Sequence, residues 1–210
     1  MKKLKFLIGA LSAAAYHDRR QACLETWANV GDRDEVDVVF LIGQQDCGLP
    51  RREGPILYCP CPDNYESLPQ KTRWFCLWAL VNFQFDYLLK CDDDTYVDIP
   101  RLLSCGATAD YLGYDINGYA SGGAGYLLSK NAAISVIGRL FEATGPEDLL
   151  VQRVLAQAGI RYTRDWRFHP FNNAWPSECN ELITSHYVSP ERMRSLHAER
   201  LRSGLLAESP

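Results

Sequence analysis

Three consecutive carboxylates, Asp92-Asp93-Asp94, follow directly on an apolar stretch, Phe85 to Lys90, that reads as a buried strand. Adjacent like charges repel, and folding them against an apolar strand is costly without a counter-charge. A divalent cation supplies one, and an all-oxygen donor set suits Mg²⁺ or Mn²⁺. On extended backbone Asp92 and Asp94 point one way and Asp93 the other. One carboxylate can then touch a metal while its neighbour addresses another part of the ligand. The plain alternative is a solvated acidic turn that caps the next helix.

The surrounding chain favours the ligand site through its order of elements. Strands are expected at Lys5–Leu11, Val36–Ile42, Ile56–Cys59, Phe85–Lys90 and Ile160–Thr163. Helices are expected at Arg19–Ala28, from Pro69 to about Asn82, around Pro100–Cys105, from Asn131 to about Thr144, and from Pro146 to about Ala158. Trp74, Leu77, Trp78 and Val81 recur at helical spacing, and Pro69 in a first turn costs no hydrogen bond. Alternating strands and helices make an α/β fold. Ligands in such folds bind beyond the carboxyl ends of the strands, which is where the acidic triplet falls.

Composition narrows the chemistry. The 210 residues suit one domain, and a net charge of −4 speaks against nucleic acid as partner. No stretch reaches the roughly 20 apolar residues of a membrane span. The eight cysteines show no C-x-x-C pair, and several lie in apolar runs, so most read as reduced, buried small hydrophobes. Met1-Lys2-Lys3 ahead of Leu4 to Ala15 has the outline of a signal peptide, but Lys5 interrupts its apolar region, and a first strand is the better reading.

Three further segments are chemical candidates. Pro146-Glu147-Asp148 opens a helix, where acidic residues complement the helix dipole or, alternatively, provide a general base. Gly122-Gly123-Ala124-Gly125 lacks both phosphate-loop patterns and reads as a tight loop that brings backbone close to a ligand, or as a plain turn. His186, in an apolar-flanked stretch, could complete a metal shell as a neutral imidazole.

Taken together, the segments resemble the β1,3-galactosyltransferase family and its relatives, the fringe and core 1 galactosyltransferases. The resemblance runs through the stretch from Arg19 to Trp27, Phe40-Leu41-Ile42-Gly43, and Asp63-Asn64-Tyr65-Glu66-Ser67-Leu68 with Lys71-Thr72. It continues through Lys90 to Val97, which looks like the family's DXD box, then Tyr119 to Tyr126, Glu147-Asp148, and Ser185-His186-Tyr187-Val188. These matches keep their order from residue 19 to about residue 188. Leu24 and Ser67 depart from the pattern, where the family has an arginine and an asparagine.

The resemblance implies a GT-A type single domain, a Rossmann-like mixed sheet flanked by helices, over residues 1–190. Residues 191–210 would form an exposed C-terminal helix and tail, and could lead to a further module. It implies an inverting, divalent-metal-dependent transfer of a hexose from a nucleoside-diphosphate sugar, with UDP as the expected nucleotide, to a glycan or glycoprotein hydroxyl. Asp94, with His186 and Asp92, would hold Mn²⁺ or Mg²⁺. Arg20, Lys71, Asp92, Asp93, Gly122 and Gly123 would lie at the donor. Asp148 would be the base, with Glu147 as second candidate. A metal-dependent nucleotidyltransferase and an inactive nucleotide- or carbohydrate-binding module are the alternatives. The family's animal members carry a membrane anchor and stem, so the expected setting is a cytoplasmic enzyme of bacterial or viral type, with secretion or a periplasmic location as the alternative.

Overall fold

The computed structural model describes residues 2–31, 34–139, 145–171 and 181–204. In chain order the elements are β1 (Lys2–Leu11), α1 (His17–Leu24), β2 (Val36–Gly43), β3 (Arg51–Glu53), β4 (Ile56–Cys59), α2 (Leu68–Asn82), β5 (Phe83–Asp92), β6 (Tyr96–Val97) and α3 (Ile99–Leu103). There follow β7 (Tyr111–Gly113), β8 (Asp115–Ile116), β9 (Tyr119–Ala120), β10 (Tyr126–Ser129), α4 (Lys130–Arg139), α5 (Glu147–Gln157), β11 (Tyr162–Arg164), β12 (Phe168–His169), β13 (Thr184–Ser185) and α6 (Pro190–Arg202).

Eight strands form one mixed sheet in the order β11-β7-β10-β5-β1-β2-β4-β3. The continuous apolar runs of β1, β2 and β5 pair in parallel at its centre. A strand buried on both faces needs that composition. β1 alternates accordingly: Leu7 and Leu11 face one core, with Phe75 and Trp78 of α2 and Val151 of α5, while Phe6 and Ile8 face the other, with Ala22 of α1 and Met193 of α6. Residues 4–11, with the outline of a signal peptide, are thus the middle of the sheet.

The expected strands and helices are present with shifts of a few residues. The helix expected from Asn131 to Thr144 is described as far as Arg139, and its last residues lie outside the described ones, as does Cys179. The seven described cysteines are free thiols, and six of them are buried.

β10 inserts antiparallel between β5 and β7, so the sheet is mixed, as the resemblance implied, and it is mixed beside the acidic triplet. One feature differs from expectation: helix α6 is not simply exposed. It buries Met193 and Leu196, and its buried Arg200 pairs with the fully buried Asp98 ahead of α3. An ion pair removed from water is tolerable only when both charges are satisfied, which ties residues 190–202 to the same core.

The second, small sheet positions the site. It runs β12-β13-β6, with Ser185 opposite Tyr96 and Thr184 opposite Val97. Val188 N–H donates to Asp94 O (2.8 Å), and His186 N–H to His169 O (3.0 Å). This pairing delivers His186 to the end of β5.

Candidate active site

β5 ends at Asp92, at the carboxyl edge of the sheet, and the next two residues turn. Asp92 and Asp94 share a side although the backbone turns at Asp93 and Asp94, and His186 closes on them. His186 Nε2 lies 3.2 Å from Asp94 Oδ1 and 3.7 Å from Asp92 Oδ2. Ligand atoms of the three residues all fall within 4.8 Å of one another. Asp94 Oδ1 is buried, and apart from the His186 ring nitrogen it has no hydrogen-bond partner among the described residues. A buried carboxylate oxygen left this way is costly, and a neutral imidazole beside it offers a second lone pair. Two carboxylates and one imidazole together can hold a divalent metal ion.

Asp93 has the opposite orientation. It is buried, and it accepts hydrogen bonds from Ser12 Oγ (2.7 Å) and Arg19 (3.3 Å). Burial, partly offset by Ser12, pushes its carboxyl up to about 6. These contacts fix the Asp93 side chain, which lines the floor of the cleft over the ends of β1 and β5. Arg19 also reaches Asp94 Oδ2 at 2.9 Å. Burial opposes ionisation of Asp94, but His186 and Arg19 outweigh it and hold the carboxyl below its ordinary range.

The two expected donor cations are placed differently from one another. Arg20 is buried and donates to Ser12 Oγ (2.8 Å) and to the carbonyls of Ala13 and Ala14, so it braces the turn after β1. Its neighbour Arg19 is the guanidinium that faces the triplet. One residue along a helix rotates the side chain by about 100°, and only the packing of α1 decides which arginine turns inward. Lys71 does line the cleft, but its ammonium is spent on Asp63 Oδ1 (2.6 Å) and Ser12 O (2.8 Å).

Lys90 is a centre that sequence reading passed over. It is buried in β5 and donates to Gly122 O (2.9 Å), with Asp92 Oδ1 at 3.1 Å and Glu147 Oε2 at 3.2 Å. Burial alone would lower its pKa, but Asp92, Glu147 and Asp148 outweigh it and raise the value. The signal was available: a lysine inside an otherwise apolar strand demands a buried counter-charge.

That counter-charge is Glu147. It is sealed from solvent and accepts from Thr72 Oγ1 (2.8 Å) and from the Tyr126 hydroxyl. Asp148, the next residue on α5, faces the cleft. Its Oδ2 accepts from Gly122 N–H (3.1 Å). A helix start thus carries one structural and one available carboxylate.

The glycine loop backs these groups instead of cradling a phosphate. A side chain at Gly123 would place its Cβ 2.0 Å from His186 Cε1, inside the ring's contact shell. At Gly122 the Cβ would stand 3.1 Å from both Lys90 Nζ and Glu147 Oε2. Gly123 O accepts from Thr95 Oγ1 (2.6 Å), which ties the loop to the triplet.

Two clefts meet at Asp92. The first, about 290 Å³, runs over the ends of β1 and β5 between Ser12, Tyr16, Arg19, Asn64 and Lys71. The second, about 350 Å³, holds Lys90, Gly122, Gly123, Asp148 and His186. Each approaches the size range of small-ligand pockets, and they share Tyr65, Leu68 and Asp92.

Residues 18–110 match the family described as Galactosyltransferase. The hydroxyproline O-galactosyltransferase GALT2 of Arabidopsis thaliana is 25% identical, over 91% of this chain and 34% of its own length. The glycoprotein-N-acetylgalactosamine 3-beta-galactosyltransferase 1 of Xenopus laevis is 32% identical, over 53% of this chain and 44% of its own. The chain spans less than half the length of these relatives. Among solved structures, a glycosyltransferase involved in the glycosylation of the major capsid of PBCV-1 superposes with a TM-score of 0.56 at 14% identity, covering 92% of this chain and 98% of that one. The catalytic domain of Drosophila beta1,4galactosyltransferase 7 gives 0.50 at 14%, covering 91% and 73%. The fold is the GT-A fold of glycosyltransferases, and the resemblance to β1,3-galactosyltransferases is upheld.

Proposed function

From a galactosyltransferase-family segment carried on a glycosyltransferase fold, we propose that this chain transfers a hexose from a nucleoside-diphosphate sugar, with UDP as nucleotide, to a hydroxyl of a glycan or glycoprotein. One observation carries the reading. Asp92 and His186 line the same cleft as the Asp148 carboxylate, and Asp94, which completes their group, lines the second cleft that adjoins it at Asp92.

Asp92, Asp94 and His186 would hold Mn²⁺ or Mg²⁺. When bound, the cation supplies positive charge to a leaving diphosphate. The cleft at Ser12, Tyr16 and Arg19 takes the nucleotide, where Arg19 already neutralises part of the triplet. Lys90 fixes Asp92 and the Gly122 carbonyl, which limits reorganisation around the reacting atoms. Asp148 accepts the acceptor hydroxyl proton. Gly122 N–H (to Oδ2, 3.1 Å) and Leu149 N–H (to Oδ1, 2.9 Å) orient the carboxylate, and a remaining lone pair serves as base. A base on the acceptor side, with the other carboxylates of that cleft engaged by Lys90 or the metal group among the described residues, supports a single displacement with inversion at the anomeric carbon.

A thermal-shift screen of nucleotide sugars with and without Mn²⁺ tests this, because a true donor stabilises the fold by mass action. The expected result is a metal-dependent rise in Tm with one or a few UDP-sugars, and release of UDP with an acceptor present. Release of pyrophosphate from a nucleoside triphosphate would overturn it.

A further inference from the structure

His186 follows a strand too short to hold its own register. β13, its partner β6 and the third strand β12 have two residues each. So few ladder bonds specify the position of a strand only weakly. Yet Ser185 must stand opposite Tyr96 for His186 to meet Asp94. A slip of one residue would carry His186 about 3.3 Å along the strand and turn its side chain to the other face.

A buried cluster outside both clefts secures the two sides of this pairing. Asp98, the residue after β6, is fully buried, and its N–H donates to the carbonyl of Ile183 (2.8 Å), the residue before β13. Its carboxylate accepts from Arg101 N–H (3.0 Å) and from Arg200 of α6, and Arg101 Nε stands 3.5 Å away. Arg101 also donates to Leu182 O (3.2 Å). Arg200 hydrogen-bonds the Tyr96 hydroxyl as well, and that hydroxyl lies 2.9 Å from His197 Nδ1. Tyr96 and Asp98 are thus gripped from α6, while Asp98 and Arg101 grip residues 182 and 183.

The chain then closes on itself. Past His186, Val188 N–H donates to Asp94 O, and Ser189 caps α6, which carries Arg200 back to Asp98. Residues 182–200 therefore start beside Asp98, pass the metal group at His186 and return to Asp98.

We infer that Asp98, Arg101 and Arg200 form a lock that sets the register of β13 on β6, and that Asp98 and Arg200 are positioning residues for the metal ligand His186. Buried ion pairs stabilise little more than apolar contacts of the same volume. What they add here is direction: three donors and one carboxylate fix where a short strand stands. This deepens the proposed function and rests on its metal group. Helix α6 then supports the metal centre, although none of its residues lines either cleft.

The test uses the whole chain with Mn²⁺ in the presence of UDP. Mn²⁺ affinity is read by electron paramagnetic resonance, and the nitrogen coupling of a bound imidazole by electron spin-echo modulation, both well below the Tm of each variant. Arg200→Met fills similar space, and Asp98 keeps Arg101 as counter-charge. Arg200→Lys keeps the charge but lacks the fork that spans Asp98 and Tyr96. His186→Ala identifies the coupled nitrogen. The parent chain should show an imidazole coupling that His186→Ala removes. Arg200→Met should weaken Mn²⁺ binding roughly tenfold and diminish the coupling, with Arg200→Lys in between. Affinity and coupling like those of the parent in Arg200→Met would overturn the lock and leave the metal group standing. Should Arg200→Met not fold, the same result in Arg200→Lys would overturn it. Weaker Mn²⁺ binding with the coupling intact would mean that the substitution loosens the fold and not the ligand, and the lock is again overturned. If the parent chain binds no Mn²⁺, or binds it without nitrogen coupling, the metal reading and the lock fall together.

Discussion

Lys90 Nζ lies 3.2 Å from Glu147 Oε2, and both side chains are sealed from water. The pair joins β5 to the start of α5, so the two ends of the cleft are braced through one buried charge contact. Removing one partner of such a pair strands the other charge. Glu147→Gln should therefore destabilise the fold by about 3–5 kcal/mol in denaturant titration. A loss under 1 kcal/mol would show that Lys90 finds its counter-charge in Asp92 alone.

Asp148→Asn should behave in the opposite manner. The side chain keeps its size and partly faces the cleft, so stability should change by under about 1 kcal/mol. Nucleotide affinity should stay as it is while transfer falls roughly 10²–10⁴-fold. Single-turnover assays beside calorimetry separate the two, and near-normal turnover would place the base elsewhere.

Asp94→Ala and His186→Ala should each abolish the Mn²⁺-dependent part of nucleotide binding, read by calorimetry with and without a chelator. Equal affinity in both conditions would rule out the Asp92, Asp94 and His186 group as the metal centre.

Gly123→Ala should act as an indirect metal-site substitution. Its methyl group would stand where the His186 ring is, and overpacking of this kind costs about 1–3 kcal/mol. The Mn²⁺-induced rise in Tm should shrink with it, and an unchanged rise would mean that His186 can move aside without loss.

Acid stability should depend on Asp63. Burial raises its carboxyl pKa, but Lys71 and the N–H groups of Ala14 (2.7 Å) and Gly43 (2.9 Å) outweigh that and hold it below the ordinary value. A depressed folded-state value gives stability that is present above the unfolded value, near 4, and is lost as pH falls through the folded one. Asp63→Asn should lower Tm at neutral pH, and the two curves should converge below about pH 4. A constant gap down to pH 2 would assign the effect to packing.

What could be read along the chain was what neighbours in sequence decide. The apolar runs of β1, β2 and β5, the helix opening at Pro69, and the triplet at a strand end follow from periodicity and local charge. The identity of each carboxylate's partner did not follow, because partners arrive from remote segments. His186 reaches Asp94 only because β13 pairs with β6, Lys90 and Glu147 meet only across α5 and β5, and the packing of α1 turns Arg19 rather than Arg20 toward the acids. Glu147 and Asp148 are adjacent and chemically alike, yet helix geometry buries one and leaves the other in the cleft. Local pattern fixes which residues can carry charge into a site, whereas desolvation and distance, which exist only once the chain is folded, divide them into supports and reactants.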